Sequence, residues 1–245
     1  MSGTWSTVPI GGRPADVYDP AGPGPRFALL HLHDVTLETL RGRTAFSRWF
    51  DELRLACVCP HGGPCWWADR ICPAFDPAQT PERYLLDAVV PFIHDRWKSR
   101  QGDIGLQGIG MGGQGALRLA FKHPERFLTV AAIAPALDYH ERYGQGTPLD
   151  QMYDSKEQCR QDTALLHVHP SRYPAHIFFC IDPADVPWLR GNDRLHEKLN
   201  ALGIAHETDF TTSQGGHTWD YFNYMAERVE RFVLAGLEQE SRRLL

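Results

Sequence analysis

Long apolar runs, internal repeats and a strong net charge are all missing from this chain. No apolar segment approaches the roughly 20 residues that a membrane-spanning helix requires. The N-terminal stretch MSGTWSTVPIGGRPADVYDP has no basic region followed by an apolar one, as a secretory signal would. The net charge of −5 gives no reason to expect nucleic acid or an anionic membrane as a partner. We therefore predict a cytoplasmic protein that binds neither, and its oligomeric state stays open.

Cysteine is scarce as well, with six residues in 245. Several lie in apolar stretches such as LACVCP and FFCID, which favours reduced, buried thiols over a disulfide framework. His31 and His33 lie two apart on a strand, but a histidine pair inside an apolar strand is more typical of a core than of a metal site. No H-E-x-x-H or C-x-x-C spacing supports zinc. We expect no metal and no organic cofactor.

Strand-length apolar runs alternate with helical patterns, which indicates an α/β fold: a mostly parallel central sheet with helices on both faces. The predicted strands are RFALLHLH, ACVCPH, DIGLQGIG, TVAAIAP, AHIFFCI and HETDFTT. Helices are predicted from about residue 80 to 97, over GALRLAFKH, and over DRLHEKLNALG, which ends at Gly203 as a C-cap. We expect a single domain over 1–245, with 137–174 forming a small cap-like insertion.

The stretch GIGMG, from Gly108 to Gly112, has the form of a nucleophile elbow with glycine at its centre. In a G-x-S-x-G turn the central residue lies between a strand and a helix in a strained backbone conformation. A predicted strand precedes this turn and a predicted helix follows it. The glycines also satisfy G-x-G-x-x-G, but a dinucleotide fingerprint belongs on the first strand of its fold, and this turn follows the third. Gly110 thus stands at a nucleophile position without a nucleophile.

Five stretches of the chain together resemble one family. They are ALLHLHD, CPHGGPCWW, GIGMGGQGALRLAFKHPERF, IDPADVPWLRGNDRLHEKLNALGIAHE and GGHTWDYF. These motifs resemble the esterase D group of the α/β-hydrolase superfamily, to which S-formylglutathione hydrolases, feruloyl esterases and mycolyltransferase-like proteins are related. The resemblance covers nearly the whole chain and implies an α/β-hydrolase fold.

The resemblance also implies a catalytic order of nucleophile, acid and histidine. In this chain Gly110 occupies the nucleophile position, Asp185 matches the orienting acid, and His217 matches the base. Asp182 is the alternative acid, because both aspartates follow the same predicted strand. A glycine-rich loop at the carboxyl end of the sheet is where such a histidine is expected.

The oxyanion hole implied by the resemblance is formed by two backbone N–H groups, those of Met111 and Val35. Asp34 departs from the family pattern, in which glycine follows the histidine of the early strand. An ionised carboxylate beside the hole would repel a developing oxyanion unless it points away or stays protonated. Asp34 is thus a second departure from a hydrolase site, after Gly110.

The predicted pocket lies at the carboxyl ends of the strands, where open α/β folds bind ligands. Besides the catalytic positions, its predicted lining residues are Asp34, Cys65, Trp66, Trp188 and Trp219. The expected ligand is a small ester or an acyl-like molecule.

Three functional hypotheses follow. The first is a carboxylic ester hydrolase whose reaction is lost or altered by Gly110. The second is a non-catalytic protein that uses the pocket for ligand binding or scaffolding. The third is relocated chemistry, with either the Cys65 thiolate or a water activated by His217 as the attacking group. A glycine introduced into an active serine esterase would give the same sequence.

Overall fold

The computed structural model describes residues 2–243, which contain an eight-stranded sheet. The strands are β1 (Thr4–Ile10), β2 (Arg13–Asp19), β3 (Phe27–Leu32), β4 (Leu55–Pro60), β5 (Ile104–Ile109), β6 (Thr129–Ile133), β7 (His176–Cys180) and β8 (Glu207–Asp209). Their spatial order is β1-β2-β4-β3-β5-β6-β7-β8. β2 pairs antiparallel with both β1 and β4, and all other pairs are parallel. The predicted mostly parallel sheet is confirmed.

The six predicted strands correspond to β3 through β8, whereas the β1–β2 hairpin was not predicted. Most residues of β1 are exposed or partly buried and only Ile10 is fully buried, so this edge strand contains no continuous apolar run. The parallel strands β3, β4, β5 and β6 are buried along their whole length, as a sheet covered on both faces requires.

Helices cover both faces of the sheet. They are α1 (Thr44–Leu53), α2 (Pro81–Tyr84), a π-helical turn (Leu85–Val89), α3 (Val90–Trp97), α4 (Met111–Lys122), a 3-10 turn (Tyr139–Arg142), α5 (Leu149–Met152), α6 (Lys156–Gln161), α7 (Ala164–His167), α8 (Val186–Ala201) and α9 (Trp219–Arg243). The predicted helix over 80–97 forms as α2, the π turn and α3 in succession. Gly203 follows α8 with a φ of +67° and donates its N–H to the Asn200 carbonyl, as a C-cap glycine does.

Two apolar cores lie on the two sides of the sheet, because successive strand residues point to opposite faces. Leu30 and Val58 belong to the core that includes residues of α2, α3 and α4. Leu29 and Phe178 belong to the other core, which packs against α1 and α9. All six cysteines are free and buried within these layers. None of the helices in residues 2–243 is long and apolar enough to cross a membrane.

Candidate functional site

A sharp turn joins β5 to α4 at Gly110, which has φ +54° and ψ −114°. This conformation is one that side-chain-bearing residues adopt only under strain, so the turn has the backbone form expected of a nucleophile elbow. The first turn of α4 packs closely on the end of β3. A Cβ atom at Gly112 would lie 1.9 Å from the Leu32 carbonyl oxygen, which restricts this position to glycine.

The side chain of Asp34 lies directly over Gly110. Its Oδ1 accepts a hydrogen bond of 2.8 Å from the Met111 backbone N–H. A Cβ atom built on Gly110 would lie only 2.1 Å from that same oxygen. The Asp34 carboxylate therefore fills the space that a side chain at position 110 would need.

His217 joins Asp34 to Asp185. Its Nε2 lies 3.0 Å from Asp34 Oδ2, and its Nδ1 lies 2.7 Å from Asp185 Oδ2. The three side chains form a continuous hydrogen-bonded chain of carboxylate, imidazole and carboxylate. Asp185 is 2% exposed, so the inner end of this chain is closed to solvent.

The two carboxylates determine the charge of His217. Burial by itself would lower the pKa of His217, but hydrogen bonds and attraction from Asp185 and Asp34 raise that pKa to about 9. Burial would likewise raise the pKa of Asp34, yet the contacts with His217 and the Met111 N–H hold it below its usual value. At neutral pH the site therefore contains an imidazolium between two carboxylates.

Asp182, the alternative acid in the sequence, has a different set of partners. Its carboxylate accepts hydrogen bonds from the backbone N–H groups of Gln214 and Gly216 and from the Ser213 hydroxyl. These residues form the loop that precedes His217. Asp182 therefore holds the histidine loop in place, while Asp185 contacts the histidine itself.

His33 fixes the loop that carries Asp34. Its Nε2 accepts a hydrogen bond of 3.0 Å from the Gly62 N–H, so its Nδ1 is the protonated nitrogen and donates to the Asp34 carbonyl at 2.7 Å. The Trp67 indole donates to the His33 carbonyl at 3.1 Å. These contacts hold the backbone on both sides of the Cα of Asp34, which is why its side chain is directed at the elbow.

A cleft of about 480 Å³ opens above Asp34 and His217. Its remaining lining residues are Val35, Thr36, Pro64, Trp66, Ala136, Arg142, Gln145, Thr147, Pro148 and Trp188. Five of them, from Ala136 to Pro148, follow β6, where the sequence pattern gave no chemical motif. Apolar side chains dominate the walls, and the carboxylate–imidazole chain forms the floor.

Two of the predicted pocket residues lie elsewhere. Cys65 is fully buried in the core and is not among the cleft residues, although its neighbours Pro64 and Trp66 are. Trp219 packs on Phe222, lies under the Arg43 guanidinium at 3.7 Å, and donates its indole N–H to Glu38 at 2.6 Å. These contacts account for its position outside the cleft. By contrast, Val35 lines the cleft and is 46% exposed.

The arrangement limits what the site can do chemically. The Met111 N–H, one of the two predicted oxyanion donors, is occupied by Asp34 Oδ1. Both nitrogens of His217 are within hydrogen-bonding distance of carboxylate oxygens. In the imidazolium each nitrogen carries a proton, so neither can accept one from a substrate or a water. Within residues 2–243, no group of three or more His, Cys, Asp or Glu side chains is arranged to hold a metal ion.

The contact between Asp34 and His217 was not predicted from the sequence, although both residues were. The sequence contains both departures from the expected pattern, since position 110 is glycine where serine is expected and position 34 is aspartate where glycine is expected. These two positions meet in the structure, where the Asp34 carboxylate lies over Gly110.

Comparison with known proteins places the chain among esterases. The model of the Esterase family, described as "Putative esterase", matches residues 55–225. No curated protein gives a significant match by sequence.

Solved structures share the fold at low sequence identity. The fluorophosphonate-binding serine hydrolase F of Staphylococcus aureus superposes with a TM-score of 0.77 at 14% identity, over 96% of this chain and 99% of that one. An S-formylglutathione hydrolase from Agrobacterium tumefaciens gives 0.78 at 17% identity, over 96% and 94%. A ferulic acid esterase gives 0.73 at 16%, over 94% and 97%. The predicted α/β-hydrolase fold and the resemblance to the esterase D group are confirmed.

Proposed function

Because this chain belongs to the Esterase family and carries glycine at the nucleophile position, we propose that it does not hydrolyse esters through an acyl-serine intermediate. Its cleft instead holds a small, largely apolar ligand above Asp34 and His217. One observation carries this proposal: the Asp34 carboxylate lies over Gly110 and accepts the Met111 N–H. An ester carbonyl therefore meets an anion where a serine hydrolase has a hydroxyl and a free N–H donor.

Direct attack by water on an ester is also disfavoured in the resting site. A general base needs an unprotonated nitrogen, and the two carboxylates beside His217 raise its pKa to about 9. The ring is therefore mostly an imidazolium at neutral pH.

Relocation of the nucleophile to Cys65 has little support as well. The thiol is fully buried, and this burial raises its pKa well above the ordinary value, so the reactive thiolate is strongly disfavoured. A substrate in the cleft would also have no direct path to it, because the cleft walls are formed by the adjacent Pro64 and Trp66.

The shape and lining of the cleft support ligand binding. A volume of about 480 Å³ is within the range of small-molecule sites. Trp66 is stacked on Tyr139 with ring centroids 4.7 Å apart, which makes one wall rigid and apolar. A preformed apolar wall gains affinity because little ordering is needed on binding.

The test is a set of four proteins assayed with short p-nitrophenyl esters: the parent, Gly110→Ser, Asp34→Gly, and the double variant Asp34→Gly/Gly110→Ser. We expect activity only in the double variant. Serine alone would place its Cβ 2.1 Å from Asp34 Oδ1, so the carboxylate would have to shift before the serine could fit, and its negative charge would stay beside the elbow. Removing the carboxylate frees both the space and the Met111 N–H.

The matched control is the double variant with His217→Ala, which should lose the gained activity. Hydrolysis by the parent protein that disappears on His217→Ala would overturn the proposal. Ligand binding is tested separately by thermal unfolding of the parent with hexanol and with hexanoate. A rise in Tm that is removed by Trp188→Ala supports the cleft as a ligand site, and no rise with either molecule counts against it.

A further inference from the structure

Asp34 is an ionised carboxylate at the floor of an apolar cleft, and no step of serine-type ester hydrolysis uses such a group. It is 7% exposed, and its neighbours in the cleft are mostly apolar. Its two oxygens are held differently, with Oδ1 on the Met111 N–H and Oδ2 beside His217 Nε2. These contacts hold the carboxylate in one orientation. Because it is already an anion, it can act as a nucleophile without a base to remove a proton.

We propose that Asp34 attacks a saturated carbon that bears a halide, so that the protein converts an apolar haloalkane and water into an alcohol and a halide ion. The inference rests on the proposed apolar ligand of the cleft. The choice of electrophile depends on the product of the attack. Attack by the Asp34 carboxylate on an ester carbonyl would give a reactive anhydride, whereas its attack on a saturated carbon gives an ordinary ester of Asp34.

In the first step, Oδ2 of Asp34 forms a bond to the carbon while the carbon–halogen bond breaks and the halide leaves with the bonding electron pair. A positive charge near the departing anion assists this step. Arg142 lines the cleft and packs against Trp188 at 5.4 Å, and its side chain forms no ion pair within residues 2–243. Its guanidinium is therefore available to the leaving halide.

The second step is hydrolysis of the alkyl ester that the first step forms on Asp34. Once Oδ2 carries the alkyl group, Oδ1 is the ester carbonyl oxygen, and it already accepts the Met111 N–H at 2.8 Å. His217 has then lost one anionic partner and releases its Nε2 proton to solvent. The neutral ring, still held by Asp185 at 2.7 Å, is placed to act as a base for water.

The water oxygen bonds to Cγ of Asp34 as its proton passes to His217 Nε2. The bond between Cγ and the alkoxy oxygen then breaks, and the alcohol leaves with the proton from His217. Asp34 is left as the carboxylic acid and transfers its proton to His217, which restores the starting ion pair. In sum, a haloalkane and water give an alcohol, a halide ion and one proton.

The first test uses the unaltered protein with 1-bromohexane in water enriched in the heavy oxygen isotope. We expect release of bromide and hexanol, and incorporation of heavy oxygen into the peptide that contains Asp34, because one carboxylate oxygen is replaced in each turnover. Bromide release without label in that peptide, or no bromide release at all, would overturn the proposal.

The second test traps the intermediate. In His217→Gln the second step is blocked, so intact-mass analysis should show one added hexyl group, located by peptide mapping at Asp34. Asp34→Asn should show no addition and no bromide release. Asp193→Asn, which removes an exposed carboxylate on α8, is the matched control and should behave like the parent. A hexyl group found on another residue would refute the assignment.

These outcomes separate the inference from the proposed function. If hexanol stabilises the parent but 1-bromohexane leaves Asp34 unmodified, the cleft binds apolar ligands and only the nucleophile assignment fails. If the parent hydrolyses p-nitrophenyl esters with dependence on His217, the proposed function fails whatever the result with bromohexane.

Discussion

Two clusters of buried charged side chains differ in their access to the cleft: one lines it, and the other is enclosed by protein. The site cluster consists of Asp34, His217 and Asp185. The second, which we call the Arg118 cluster, centres on Arg118 of α4 with Glu82 and Asp162 on either side. In both clusters a central cation lies between two carboxylates, so this arrangement alone does not distinguish them.

The Arg118 cluster is saturated with partners. Arg118 Nε donates to the Asp162 carbonyl at 3.0 Å and to its carboxylate at 2.9 Å. Glu82 also accepts from Lys122 at 2.7 Å and lies 3.0 Å from His123 Nε2. Burial would raise the pKa of Glu82, but His123, Arg118 and Lys122 lower that pKa to about 2. The cluster joins α2, α4 and the segment after α6, and its three central members are buried.

A buried ion pair therefore indicates chemistry only where one of its members faces space for a ligand. In the Arg118 cluster each carboxylate is surrounded by several donors, which is typical of structural networks. In the site cluster Asp34 has one backbone donor and one imidazole, and both Asp34 and His217 line the cleft. Four predictions test this contrast.

The largest effect is expected for Arg118→Met. Methionine has a long side chain but no charge, so this substitution leaves two buried carboxylates without the cation between them. The free energy of unfolding should fall by about 3–5 kcal/mol. Urea unfolding at neutral pH measures the change. The control is Arg172→Met, which breaks an exposed ion pair with Glu125 and should cost less than about 1 kcal/mol. Equal effects for the two variants would contradict a structural role for the Arg118 cluster.

Glu230, a buried carboxyl group outside both clusters, differs from their carboxylates because no cation lies beside it within residues 2–243. Glu230 of α9 is fully buried, and its Oε1 accepts from Gln107 Nε2 at 2.8 Å. Burial raises the pKa of Glu230 to about 8. The folded state therefore keeps this proton between about pH 4.5 and pH 8 while the unfolded state releases it, and stability falls as the pH rises through that window.

Glu230→Gln removes the titrating proton and keeps an acceptor for Gln107. We expect the variant to exceed the parent in unfolding free energy by about 2–4 kcal/mol at pH 9 and to be nearly equal to it at pH 4. Chemical unfolding at the two pH values measures the difference. Glu227→Gln, an exposed position on the same helix, should show no such pH dependence. A constant difference at both pH values would argue against a protonated Glu230.

The fold was largely predictable because parallel strands buried on both faces appear as apolar runs. The strands β3 to β7 appear as such runs, and β8 was predicted within HETDFTT although it is short and partly exposed. The edge hairpin of β1 and β2 has mixed polarity and was missed. The long helix α9 was not predicted either, although Phe222, Val229, Val233 and Leu237 recur at helical spacing and are buried.

The site was predictable in its parts and not in its contacts. The order of Gly110, Asp185 and His217 could be taken from motifs. In the structure His217 contacts Asp185 directly and is linked to Gly110 only through Asp34. The pairing of Asp34 with His217 depends on the direction of one loop side chain, which the hydrogen bonds of His33 determine. Local sequence patterns do not contain that information, because the partners are 183 positions apart.

A smaller loss of stability is expected for Asp34→Asn than for Arg118→Met. Asparagine can still accept the Met111 N–H through its side-chain oxygen, so the main change is the loss of one anion beside His217. We expect a fall in unfolding free energy of about 1–2 kcal/mol at pH 7, measured by urea unfolding. A loss as large as that of Arg118→Met would mean that the site cluster contributes as much to the stability of the fold as the Arg118 cluster does, so the two would not differ in role.

The smallest effect concerns the titration of His217. With both carboxylates present its pKa is raised to about 9, so its contribution to stability is complete below its ordinary value near 6.5 and is lost as the pH rises through 9. Asp34→Asn removes one of the two anions beside the ring and should lower this pKa by about one, equivalent to about 1.4 kcal/mol. The pKa should fall no further, because Asp185 remains as the inner partner. NMR titration of the His217 ring in parent and variant measures the shift, with Asp193→Asn as the unshifted control. A parent value near 6.5 would mean that Asp34 and His217 do not form an ion pair in solution, and the carboxylate would then be free to leave the elbow.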